Sequence, residues 1–455
     1  FNNHVFETDV AAGGETGLAV FMHRVGNFSP GPAQQTRIGF GFGHFWSTIT
    51  DEGLLPFQWL DQFDNSADVY KWRDPSVAYD KHTMDPSHEG DYLCVAINKI
   101  PGAGTFTIDN IAFSRYKASD PNPVWTTWRE LWRFPGPGDQ DIDHIYHPVI
   151  LEGEDNEFYV LWTYDNSSGT TKRFGCAWTT QGGGLGNWHI QAPIVDYITG
   201  AEIVGATSME GSVFDDGKLY VAYSSAPGVI GFLEGVDNDL TNKVDFKVLK
   251  DLSPLHAPLS HSLRAADFAS LDPLLPGRQN TYTAQIAVDP SNVNRFYFTY
   301  EDIKAAGSAD VDVYAHSVDR RGLYWYIGPG GALPGLVPAV PPETYPDHYD
   351  QFLPTLTVDD LGRVHVLYYD EQFFPGQLDT IDPKLARYDV VYGVSCDGGQ
   401  TYTKVEFHPS TTGDTAYLDW SKEDETYFEF NVRDYIGIDW SVNDTLEARF
   451  IWGGI

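Results

Sequence analysis

The chain has 455 residues, 42% hydrophobic and 15% aromatic, with 44 Gly and 28 Pro; this composition argues against helical and disordered chains and favours many short strands joined by tight turns. Its 64 acidic against 29 basic residues give a net charge of −35, a surface that repels nucleic acid and anionic lipid. No apolar run reaches membrane-spanning length, and the three cysteines, Cys94, Cys176 and Cys396, are too far apart for a metal knuckle.

In chain order, one kind of apolar segment recurs seven times: Val5–Val10, Asp74–Tyr79, His147–Leu151, Glu210–Phe214, Tyr282–Val288, Phe352–Val358 and Arg433–Ile438. The units start near 5, 74, 146, 209, 282, 352 and 433, about 70 residues apart, which is a loose repeat. Each segment is followed by a polar turn and a second apolar run: Leu18–Val25, Tyr92–Ile100, Phe158–Tyr164, Leu219–Ser225, Phe296–Tyr300, Val364–Tyr369 and Ala448–Trp452. Turns such as Asp215-Asp216-Gly217-Lys218 and Asp359-Asp360-Leu361-Gly362-Arg363 carry hairpin chemistry. Six units continue into a third run, as in Phe174–Trp178 and Val391–Ser395. Cys94 and Cys176 lie inside such runs, which predicts buried free thiols.

Repeated units of this kind are blade-like, and stacking them around an axis buries both faces of every sheet. The fold expectation is a single all-β domain over 1–455, a β-propeller. Seven hairpins favour seven blades with a short last one; six blades remain the alternative. Leu252–Gln279 and Gly328–Tyr349 read as Pro- and Gly-rich insertions between blades.

The stretch Ser395-Cys396-Asp397-Gly398-Gly399-Gln400-Thr401-Tyr402 reads as a stapled hairpin turn. Its Asp can accept turn N–H groups, its glycines permit positive φ and its aromatic covers the turn. The pattern Ser395, Asp397, Gly399, Thr401, Tyr402 resembles the Asp box of sialidase-like (BNR-repeat) propellers, whose role there is structural. The run Arg433-Asp434-Tyr435-Ile436-Gly437 resembles the last blade of bacterial members. The resemblance implies a propeller, an extracytoplasmic setting and frequent glycan handling, in a superfamily that includes both enzymes and non-catalytic propellers. The chain begins at Phe1 with no leader, as expected of a processed exported protein and equally of a trimmed one. A secreted, cell-surface or periplasmic location follows from that reading.

Loops entering the inner strands line one mouth of the channel in such propellers, so the candidate site residues are those at the segment starts. They are Arg73, Asp74, Asp143, His144, His147, Glu210, Tyr282, His348, Arg433 and Tyr435. A sialidase-like site needs an arginine clamp, a Tyr–Glu pair and an Asp acid/base. Arg73 and Arg433, with Arg264 or Arg24, could form the clamp, but no Arg-Ile-Pro motif is present. A lyase would instead use His144, His147 or His348 with Tyr146 or Tyr345 against a uronate. Asp141, Asp143, His144 and His147 could hold a metal, although two histidines entering a strand are more often structural. No cofactor is required, and calcium or another divalent cation is admitted by the acidic surface. With no intact catalytic motif, the expectation is a non-catalytic binding or scaffold module for a glycan or an extracytoplasmic partner protein; the alternative is a glycan-active hydrolase or lyase.

Overall fold

The computed structural model describes residues 4–13, 16–25, 35–44, 71–80, 91–101, 106–118, 124–136, 138–139, 144–153, 157–165, 172–180, 187–205, 209–214, 216–226, 229–238, 240–249, 284–303, 311–321, 324–327, 351–372, 387–407, 437–442 and 446–451. Its regular elements are β-strands throughout. No helix among the described residues is long and apolar enough to cross a membrane.

The strands form consecutive antiparallel meanders. β1 (His4–Gly13), β2 (Thr16–Val25) and β3 (Gln35–His44) make a three-stranded one. In the next, β4 (Lys71–Tyr79), β5 (Tyr92–Pro101) and β6 (Phe106–Lys117) are followed by three short segments that share the outer edge of β6. These are β7 (Val124–Trp125), β8 (Arg129–Arg133) and β9 (Gly138–Asp139). The third comprises β10 (Ile145–Glu152), β11 (Phe158–Asp165), β12 (Lys172–Thr179) and β13 (His189–Gln191), with β14 (Val204–Gly205) also on β12.

Three regular four-stranded sheets come next. The first holds β15 (Met209–Val213), β16 (Lys218–Ala226), β17 (Val229–Asn238) and β18 (Lys243–Val248). The second holds β19 (Gln285–Val288), β20 (Arg295–Ile303), β21 (Val311–Arg321) and β22 (Tyr324–Ile327). The third holds β23 (Gln351–Val358), β24 (Val364–Gln372), β25 (Arg387–Ser395) and β26 (Thr403–Phe407). A hairpin, β27 (Gly437–Val442) and β28 (Leu446–Ile451), ends the series. The fold is an all-β propeller in which, among the described residues, five blades carry at least four strands.

Side-chain alternation along the second strand of each blade explains the stacking. Along β5, Leu93, Val95 and Ile97 point to one face, and Tyr92, Cys94 and Ala96 to the other. The first set packs with Ile150, Phe158, Val160 and Trp162 of the following blade. The second packs with Leu18, Val20, Ile38 and Phe40 of the preceding one. The same division recurs between later blades: Leu161, Phe174 and Trp178 meet Leu219, Val221 and Phe246. Tyr220 and Phe232 meet Phe296 and Phe298, and Tyr297 and Val313 meet Val364, Val366 and Tyr368. A strand buried on both faces reads as a continuous apolar run, and each large side chain so covered contributes about 1.5–3 kcal/mol. Cys94 and Cys176 are free and buried, and burial pushes both thiols up.

The turns behave as their residues dictate. Between β23 and β24, Asp359 Oδ1 accepts N–H groups from Leu361 at 3.0 Å and Arg363 at 2.9 Å, with Gly362 at φ 72°. Between β25 and β26, Asp397 Oδ1 accepts from Gln400 and Thr401, both at 2.9 Å. Its Oδ2 accepts Thr401 Oγ1 at 2.6 Å, and Ser395 Oγ both donates to Asp397 at 2.8 Å and accepts Gly399 N at 2.8 Å. Gly398 and Gly399 take the positive φ that the turn requires. Leu252–Gln279 and Gly328–Tyr349 lie outside the described residues.

Candidate functional site

The first strands of successive sheets lie against one another, and several are bulged near their starts. Register shifts fall between Phe6 and Thr8, Arg73 and Ser76, Tyr146 and Val149, and Phe352 and Thr355. In three of them a proline, Pro75, Pro148 or Pro354, occupies the bulge, where its missing N–H costs no ladder bond. Asp74 and His147, just before two of these prolines, have φ of 46° and 48°. That conformation is rare for non-glycine residues, so surrounding bonds must hold it in place.

Those bonds run between blades. Arg73 Nη2 donates to the Ile145 carbonyl at 2.7 Å, and His147 N donates to Asp74 Oδ2 at 3.2 Å. Ser76 Oγ donates to Asp9 Oδ2 at 2.8 Å and accepts Ile150 N at 3.2 Å. Asp9 Oδ2 also accepts Val77 N at 2.9 Å, and Ser212 Oγ accepts Val288 N at 3.1 Å. An innermost strand has one edge without a ladder partner, and its buried N–H groups must be satisfied otherwise. Here a side-chain oxygen of one blade satisfies the N–H of the next.

A second polar cluster surrounds the start of β10. The Tyr146 hydroxyl donates to Asp165 Oδ2 at 3.3 Å, and Lys172 pairs with Asp165 and lies 3.8 Å over the Tyr146 ring. Arg73 sits 5.9 Å from the centre of the same ring. His144 Nδ1 lies 3.4 Å from Asp165 Oδ2, its ring stacks on Phe134, and its backbone N–H donates to Asp109 Oδ2 at 3.2 Å. Its buried Nε2 has no hydrogen-bond partner among the described residues. Asp109 is paired with Lys99 at 3.9 Å, yet burial raises its affinity for a proton.

Glu210 differs from the others. It is 5% exposed on β15, and burial, reinforced by the Asp9 charge, pushes its pKa up to about 8, against the effect of a hydrogen bond to Gln285. Its Oε1 has no partner among the described residues. Burial therefore favours the protonated form of this carboxyl.

Of the expected site residues, Arg73, Asp74, His144, His147 and Glu210 are described; Asp141, Asp143, Tyr282, His348, Arg433 and Tyr435 lie outside the described residues, as do Arg264 and Tyr345. Arg73, Asp74 and His147 come together through inter-blade bonds. His144 instead turns to Asp165 and Phe134. No group of three or more metal-ligating side chains forms among the described residues. Sequence reasoning passed over Asp9, Ser76, Asp165, Lys172 and Gln285, although polar residues alternating within an inner strand, such as Asp74 and Ser76, are a signal for groups facing an axis.

No family model and no curated protein sequence matches the chain. Among solved structures it is similar to a Trypanosoma rangeli sialidase in complex with the inhibitor DANA, at 9% identity and a TM-score of 0.46, over 84% of this chain and 56% of that one. The chain thus spans little more than half the length of that sialidase. It is also similar to a GH43_1 enzyme from Xanthomonas citri, at 12% identity and a TM-score of 0.33, over 73% of this chain and 89% of that one. A glycosyl hydrolase from Bacteroides ovatus matches at 10% identity and a TM-score of 0.33, over 81% of each chain.

Proposed function

We propose that the chain is a seven-bladed, extracytoplasmic propeller of Asp-box type that acts as a non-catalytic binding or scaffold module for a glycan or a partner protein. The observation that carries this reading is that the polar groups at the inner-strand starts are bonded across the blade junction: Arg73, the described clamp candidate, to the Ile145 carbonyl, Asp74 to His147 N and Ser76 to Ile150 N. Support for seven blades comes from the inner strands: β27 lies against both β23 and β1, as a ring of seven first strands requires. The glycan half of the reading rests on the resemblance of the Ser395–Tyr402 turn and the Arg433–Gly437 run to sialidase-like propellers. Binding of this kind needs no cofactor.

A second reading, a glycan-active enzyme, is favoured by one observation. Burial pushes the Glu210 pKa up to about 8, the direction a general acid needs. One experiment separates the two. The full chain is applied to a glycan array, and the retained glycans are then incubated with it and analysed for shortened or unsaturated products. The module reading expects retention without cleavage. Cleavage that disappears in Glu210→Gln would establish the enzyme instead.

A further inference from the structure

We propose that His365 is a proton-operated latch in the blade built from β23 to β26. Neutral, it ties the β23–β24 turn to β25; taking up a proton in acid loosens that tie. The inference is independent of the binding-module reading.

His365 lies on β24 and is 4% exposed. Its ring bridges two groups from different elements. Nε2 is 3.1 Å from Asp359 Oδ2, in the turn before β24, and Nδ1 is 2.6 Å from the Tyr392 hydroxyl on β25. An ionised carboxylate can only accept, so Nε2 carries the hydrogen. In the neutral ring Nδ1 is then an acceptor, and the Tyr392 hydroxyl donates to it. On protonation Nδ1 becomes a donor as well, and the Tyr392 proton has to turn away.

The surrounding charges point the same way. Asp359 is buried and already balanced by Arg363, whose Nε donates to its Oδ2 at 2.5 Å. Its Oδ1 accepts the Leu361 and Arg363 N–H groups. Burial works against the ionised form of Asp359, and the bonds from Arg363 and His365 more than offset this. With His365 neutral, the group of Asp359, Arg363 and His365 therefore carries no net charge. A proton on the buried ring would leave one positive charge with little water around it, which costs free energy. From the preceding blade, Asp289 and Ser291 approach Gly362 of the same turn, but Asp289 Oδ1 is occupied by Ser291 N at 2.9 Å and Ser291 Oγ at 2.6 Å. Thr357 and Val394, opposite His365 on β23 and β25, are uncharged; the side chains of β27, which lies against β24, are outside the described residues. Burial is the largest effect on the imidazole and lowers its affinity for a proton. The hydrogen bond and charge of Asp359 oppose this, and the Arg363 charge adds to it.

The direct test is nitrogen-15 NMR of the full chain labelled at histidine, with the His365 signal assigned by its loss in His365→Gln. The Nε2–H tautomer is expected at pH 7.5, taking up a proton only below the ordinary value of about 6.5. The opposite tautomer, or protonation at or above about 6.5, would overturn the proposal. Urea unfolding gives a second readout. The folded pKa is below the unfolded one, so the stability in question is fully present above about 6.5 and is lost as pH falls toward the folded value. His365→Gln keeps a donor toward Asp359 but cannot titrate. Relative to it, the unfolding constant of the unmodified chain should rise between pH 6.5 and pH 5, by up to about tenfold per pH unit. Parallel profiles would refute the latch. Should His365→Gln not fold, Tyr392→Phe takes its place: it removes a bond to the neutral ring alone, so one histidine signal should shift and titrate at higher pH. No histidine responding to that change would equally refute it.

Discussion

Asp397 and Glu210 are both carboxylates in hairpin-forming blades, yet their surroundings push them in opposite directions. Asp397 sits exposed in the turn between β25 and β26, where Thr401, Ser395 and the Gln400 N–H all donate to it and hold its pKa down to about 2. Glu210 sits buried beside another acid, has one oxygen without a donor, and is pushed up to about 8. The difference teaches that in this acidic chain the local surroundings decide where a carboxylate ionises: donors at the exposed turn, burial and a neighbouring negative charge at Glu210. The rim turn is saturated with donors. The axial position is not.

The largest expected effect breaks this comparison at the axis. Glu210 has a folded pKa above its unfolded value, so its contribution is fully present below about 4.5 and is lost as pH rises toward about 8. Over that window the unmodified chain should lose stability relative to Glu210→Gln by about 1.4 kcal/mol per pH unit. Urea unfolding of both proteins at pH 5, 6.5 and 8 checks this, and parallel profiles would show that Glu210 ionises normally.

Next in size is Ser76→Ala, which removes the acceptor of the Ile150 N–H and one of the donors to Asp9 Oδ2. A loss of about 1–3 kcal/mol is expected, read as a lower urea midpoint with an unchanged slope. The smallest effect belongs to the rim. Asp397→Asn should cost about 1 kcal/mol at pH 7, because the exposed turn lets water replace the lost acceptor. This contribution has the opposite pH sense: it is present above about 3.8 and is lost as pH falls toward about 2. An Asp397→Asn loss larger than that of Ser76→Ala would reverse the comparison.

Much of the fold was legible in the sequence because a blade strand buried on both faces writes itself as an unbroken apolar run. Tyr92–Ile100 and Phe158–Tyr164 appear as β5 and β11 almost residue for residue. Turn chemistry was legible for the same local reason, since Asp397 bonds to groups at most four residues away. The candidate site was legible only in part. Arg73, Asp74 and His147 stood out as polar residues at strand starts, but their partners did not, because Ser76 meets Asp9 across 67 residues and Ile150 across 74. Alternation says that a polar side chain leaves the apolar face; it does not say which blade it will reach. Glu210 was visible as a residue, whereas its neighbour Asp9 lay inside a run read simply as a strand.

The claim that the polar groups at the inner strands bind blade to blade is tested most directly by a double-mutant cycle between Asp9→Asn and Ser76→Ala, with stability measured by urea unfolding. The account predicts a coupling energy of about 1 kcal/mol, within the range for residues sharing one hydrogen-bond network. Additivity of the two single changes, to within about 0.3 kcal/mol, would contradict it.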